Sequence, residues 1–113
     1  MYKDAKTRRE GRAMPVMEVA KIACQEGRGD EFVEALRNGL AVQGRDPNCL
    51  EISFQRQVEN PDEFLLNLLW TSIPDHDAWR SANRDEWRSH IWDLIEGTPQ
   101  LLGHYEVVAK LKG

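Results

Sequence analysis

His76 is the side chain best placed by type and position for acid-base chemistry. It lies in the stretch FLLNLLWTSIPDHDAW, Phe64 to Trp79, six residues after a leucine-rich run that ends at Trp70. Imidazole titrates near neutrality, so a histidine can act as base or hydrogen-bond partner at physiological pH. The alternative for His76 is a surface imidazole between Asp75 and Asp77. Trp70 and Trp79 bracket it, and flat indole faces suit the walls of a pocket for an aromatic ligand, although tryptophans at such spacings also serve as core. Asn67 interrupts the leucines. An amide left unpaired among them costs about 1 to 3 kcal/mol, so a substrate, a trapped water or the same residue of a second copy must satisfy it. Tyr105 and His104 point to opposite faces of a last strand, where either can hydrogen-bond a ligand, or the tyrosine can cap the core with its hydroxyl at the rim. Arg80 can hold an anionic substrate group or stay solvated. His76, His90 and His104 have no metal-ligand spacing, and no metal site is expected.

The 113 residues suffice for one core and not for two. With 41% hydrophobic and 30% charged residues, the composition is that of a soluble globular domain. No apolar run approaches the roughly 18 to 20 residues of a membrane helix, and the opening MYKDAKTRREGRAMP lacks a signal-peptide core, so a cytoplasmic protein without membrane contact is expected. Cys24 and Cys49 lack redox or metal spacing and read as reduced, buried thiols. Residues 1–12 carry a net charge of +3, which leaves −7 on the remainder. An acidic body repels a phosphate backbone, which disfavours nucleic acid as partner. Residues 1–14 read as a basic, flexible extension and 15–113 as the folded domain.

The elements that must position these residues follow from periodicity. VMEVAKIAC reads as a strand, closed by the glycines of QEGRGD. Phe32, Val33, Leu36 and Leu40 share one face of a helix, with Asp30 as its N-cap and Gly44 and Pro47 ending it. LEISFQRQ alternates as a strand with one wetter side, and VENPDE is a turn. FLLNLLW presents Phe64, Leu66, Leu68 and Trp70 on one face and Leu65, Asn67 and Leu69 on the other, as a central strand does. Ser72, Pro74 and Asp75 start a short helix. Asn83 and Glu86 start a second one, with the stripe Trp87, Ile91, Leu94 and Ile95 closed by Gly97 and Pro99. GHYEVVAKLK reads as the last strand.

The order β-α-β-β-α-β predicts an α+β, ferredoxin-like sandwich with an antiparallel sheet and helices on one face. Leu65 and Leu69 on the other face have nothing left in the chain to cover them. Exposed apolar sheet costs about 25 cal/mol per Å², so a homodimer closed through the sheet faces is expected.

This topology, with LLNLLWTSIPDHDAW and the closing GHYEVV, resembles the antibiotic biosynthesis monooxygenase family of dimeric α+β barrels, over about Val16 to Leu111. The resemblance implies a homodimer. It also implies oxidation of a small phenolic, quinol-like or polyketide-like molecule with O2 and no cofactor. Such chemistry needs a base, an anion-stabilising donor and dry apolar walls. His76 is the candidate base, Trp70 and Trp79 are candidate walls, and Tyr105, Asn67 and Arg80 are candidate substrate contacts. Where members that oxidise phenols carry a polar amide, this chain has Leu66. The haem-degrading branch carries an amide on the first strand where Ala20 stands here, with Trp79 and His90 near its tryptophan and ligand histidine. Two rivals therefore remain: a non-enzymatic ligand-binding or structural dimer, and haem binding or degradation.

Overall fold

The computed structural model describes residues 14–113. The basic extension expected at residues 1–14 thus lies, up to residue 13, outside the described residues, and Met14 is half-buried against the core. Six elements follow in the order β1 (Val16–Cys24), α1 (Gly29–Gly44), β2 (Cys49–Arg56), β3 (Glu63–Trp70), α2 (Ile73–Ser89) and β4 (Ile95–Glu106). The sheet order is β2-β3-β1-β4, with every neighbouring pair antiparallel. This is the split βαβ arrangement, with β3 and β1 at the centre. None of the described helices is long and apolar enough to cross a membrane.

Strand alternation sends one row of each strand under the helices. From β1 come Val16, Ala20 and Ile22, and from β3 come Phe64, Leu66, Leu68 and Trp70, all buried. Phe32, Leu36 and Leu40 of α1 and Trp79 and Trp87 of α2 close over them. The opposite row of the two central strands, Met17, Val19, Leu65, Asn67 and Leu69, is only half-buried, which is the uncovered sheet face that the leucine pattern predicts. Gly39 lets the two helices approach: a Cβ there would lie 2.9 Å from the Trp87 ring.

Several local expectations change. Asp30 is not the N-cap of α1. Arg28 holds that place without a side-chain cap, and Asp30 stands in the first turn, accepting a hydrogen bond from Arg56 Nη1 at 2.8 Å. Asn83 does not start a second helix: its Nδ2 donates to the Trp79 carbonyl 3.0 Å away, one turn back, and α2 runs unbroken to Ser89. Leu94 and Ile95 are not helical, because β4 already begins at Ile95, upstream of Gly97 and Pro99. Those two residues lie where β4 pairs irregularly with β1, between Lys21 and Ala23, and an edge strand tolerates proline and a left-handed glycine at such a bulge. The strand then ends at Glu106, short of the predicted VVAKLK. Cys24 is a buried free thiol as expected, whereas Cys49 is only half-buried; burial pushes its pKa up to about 11.

Candidate active site

Glu18, Trp70, His76 and His104 meet on the helix-covered side of the sheet, each delivered by a different element. Val16 pairs with Trp70 across β1 and β3, and Glu18 pairs with His104 across β1 and β4, so three neighbouring strands bring their side chains onto one face. His76 descends from the first turn of α2. That turn is fixed by the predicted cap, in which Ser72 Oγ accepts from the Asp75 backbone N–H at 3.1 Å and Pro74 occupies the start of the helix. The Thr71 and Ser72 hydroxyls donate to Asp75 Oδ2 at 2.5 and 2.8 Å and hold its carboxyl below the usual range. Asp75 is thus engaged in the cap, and the imidazole one residue on turns inward.

His76 is 4% exposed, so it is not a surface imidazole. Its ring stacks on Trp70, 4.9 Å between centroids and 18° from parallel, and Trp70 in turn packs against Trp79. His76 Nδ1 lies 2.7 Å from His104 Nε2, and His76 Nε2 lies 3.2 Å from Glu18 Oε1. The Trp70 indole N–H donates to the same Glu18 oxygen at 2.9 Å. A carboxyl, two imidazoles and an indole N–H thus form one connected polar chain under an apolar roof.

Burial sets the charge state of this chain. Desolvation lowers the His76 pKa to about 4, helped by His104 and Arg80 and opposed by Asp77. His104 is lowered as well, chiefly by burial. Glu18 is raised, because the cost of burying its charge outweighs the Trp70 hydrogen bond and the nearby Arg80. At neutral pH both imidazoles are therefore neutral, as a general base must be before it takes a proton.

Beside this chain lies a cavity of about 90 Å³, lined by Glu18, Ala20, Leu66, Leu68 and Leu101 from the sheet side, Gln43 from α1, and His76, Trp79, Arg80, Arg84, Trp87 and Arg88 from α2. Three of the expected site residues, His76, Trp79 and Arg80, line it together. Trp70 does not: it is fully buried and backs the His76 ring. Asn67 and Tyr105 belong to the other face of the sheet. The Asn67 amide donates to Gln55 Oε1 of β2, diagonal to its register partner Ser53, and Tyr105 stands opposite Met17, 51% exposed. His90 is exposed at the end of α2, away from the cavity, while Ala20 lines it, an arrangement that lends nothing to the haem reading.

Glu18 and Gln43 escape the reading of sequence. Their signal is a polar residue in an apolar row: Glu18 falls between Val16 and Ala20, and Gln43 follows Leu36 and Leu40 at helical spacing.

The family model for antibiotic biosynthesis monooxygenase matches residues 15–90. Among solved structures, a Bordetella bronchiseptica protein bearing the antibiotic biosynthesis monooxygenase name aligns with a TM-score of 0.77 at 24% identity, covering 85% of this chain and 99% of that one. A Nitrosomonas europaea protein of the same name aligns at 0.70 and 17% identity, covering 83% and 90%. SnoaB, a cofactor-independent oxygenase from Streptomyces nogalater, aligns at 0.69 and 14% identity, covering 87% and 100%. No functionally curated protein matches. At these identities the structural likeness speaks for the fold, and the family model spans well over half of the sequence. The chain belongs to the antibiotic biosynthesis monooxygenase family.

Proposed function

We propose that the protein is a cofactor-independent monooxygenase of small phenolic or enolic molecules, with His76 as the base. The carrying observation is a buried imidazole held between Glu18 and His104 at the edge of a cavity. His76 takes up the hydroxyl proton by relay through Glu18, which lines the cavity and faces His76 Nε2, and the resulting anion reduces O2. One oxygen atom enters the ring carbon as a carbonyl and the other leaves as water, so a phenol plus O2 gives a quinone plus H2O, with all electrons drawn from the substrate. Trp79 and the leucines keep water from the anion, and Trp70 fixes the orientation of the imidazole from behind. The working unit is a homodimer closed through the half-buried sheet face, a reading supported by Leu65, Leu69, Met17 and Val19 there.

Oxygen uptake under air with a panel of quinols and polyketide-type phenols tests the proposal. Turnover by the parent and a fall of about 10²-fold or more in His76→Ala support it, that being the ordinary scale of general-base catalysis. Equal rates in parent and variant would remove His76 from the chemistry. A second reading has one observation in its favour: about 90 Å³ is below the roughly 300 Å³ of a typical ligand pocket, as in a structural dimer that has kept the fold alone. A parent that consumes no oxygen with any of the panel would favour that reading.

A further inference from the structure

Gln43 of α1 and Trp79 of α2 both line the cavity, and each carries a buried polar atom with no hydrogen-bond partner among the described residues: the amide Oε1 and the indole Nε1. They are 4% and 5% exposed, out of reach of bulk water. The first can only accept and the second can only donate. Each costs about 1 to 3 kcal/mol while unpaired, which is unusual for one site to carry twice. A hydroxyl is donor and acceptor at once, the chemical complement of both atoms.

The solvent side of the same cavity is cationic. Arg80, Arg84 and Arg88 follow one another at intervals of four along α2, which places them on one face of the helix. Arg28, Arg37, Arg45 and Arg56 elsewhere in the fold each have a carboxylate within 4 Å. Arg80 and the half-buried Arg88 have none among the described residues, and Arg84 has only the exposed Asp85 at 4.0 Å. Guanidinium groups match carboxylates in bidentate geometry. Within the cavity the Glu18 carboxyl repels an anion, so a negative group is held to the arginine side. Size points the same way. About 150 Å³ accommodates a benzene ring, and about 90 Å³ takes only the hydroxyl-bearing edge of one, leaving the rest of the ligand at the arginines.

We propose that the ligand is a hydroxylated aromatic or enolic carboxylic acid. Its hydroxyl sits between Gln43 and Trp79 beside His76, and its carboxylate lies on Arg80, Arg84 and Arg88. The fate of the hydroxyl rests on the oxygenase reading above; the recognition of the acid does not.

The test is calorimetric titration of the full chain under nitrogen with 2,5-dihydroxybenzoate and with hydroquinone, the same quinol with and without a carboxylate. The expected result is binding of the acid about tenfold tighter or more. In the double variant Arg80→Ala/Arg84→Ala, which leaves Arg88, the preference for the acid narrows about threefold or more. Gln43→Leu weakens both ligands to a similar degree. Equal affinity in the parent, tighter binding of hydroquinone, no heat with either ligand at millimolar concentration, or a preference undiminished in the double variant would each overturn the proposal. Oxygen uptake with the same two compounds separates the two readings. A preserved acid preference with no oxygen consumption from these two compounds or from the wider panel overturns the oxygenase alone, and oxygen consumption with equal affinities overturns the acid alone.

Discussion

His76 Nδ1 and His104 Nε2 stand 2.7 Å apart, so two imidazoles from α2 and β4 share one hydrogen bond. A shared position holds a single proton: one ring donates and the other must accept. Burial penalises the charged form of either ring, with His104 adding to the effect on His76, so both histidines resist protonation.

The first prediction concerns pH. With His76 neutral down to about pH 4, the acid limb of kcat/KM falls near that value and not near the ordinary 6.5. Replacing His104 by alanine removes a neighbouring imidazole and admits water, so the limb moves up toward 6.5. Stability has the matching sign. The unfolded chain takes up a proton at this imidazole from about 6.5 downward and the folded one only near 4, so His76 contributes a loss of stability as pH falls through that window. Glu18, whose folded pKa is raised, contributes in the opposite sense. Urea unfolding of parent and His76→Asn between pH 7 and pH 4 isolates the histidine contribution, with the parent the steeper of the two.

Glu18 accepts the only hydrogen bond of the Trp70 indole among the described residues, and Trp70 is fully buried. Glu18→Ala leaves that N–H unpaired and costs about 1 to 3 kcal/mol in urea unfolding, whereas Glu18→Gln retains an acceptor and loses about 1 kcal/mol or less. Equal losses in the two variants would show that the indole bond is not what Glu18 contributes.

Gly39→Ala sets two effects against each other. Alanine gains about 0.5 to 1 kcal/mol over glycine inside a helix, but its Cβ would lie 2.9 Å from the Trp87 ring. Overpacking of this kind costs about 1 to 3 kcal/mol, so the melting temperature falls. Gly44→Ala is the internal comparison: its Cβ meets only Ile52 at an ordinary 3.6 Å, and no loss is expected there.

The sheet-face dimer predicts a two-fold mass in sedimentation at micromolar concentration. Leu69 sits between Met17 and Glu51 in the middle of that face. Leu69→Asp places an unpaired charge in the interface and yields monomers that keep the far-UV circular dichroism of the parent. A parent that is already monomeric would contradict the dimer directly.

Much of the scaffold is legible in the chain itself. The alternation of Phe64, Leu66, Leu68 and Trp70 and the cap at Ser72 and Asp75 are local patterns, and local backbone preference realises them as read. The longest misread stretch runs from Asn83 to the end of the predicted last strand. Asn83, Gly97 and Pro99 all signal breaks in isolation, but helix packing against α1 carries α2 past the first, and β1 supplies a ladder that absorbs the other two in a bulge.

Sequence alone determined the order of the elements and which row of β3 turns to the helices, because these depend on residues one to four positions apart. It also singled out His76, Trp79 and Arg80, which the cavity gathers. Only the tertiary structure decided that His104, and not Tyr105, joins them. A shift of one residue reverses every side chain of a strand, and the phase of β4 against β1 is set by two register irregularities that no short-range pattern encodes. The same long-range pairing brings Glu18 within reach of His76 and so converts an unremarked strand carboxylate into the partner of the candidate base.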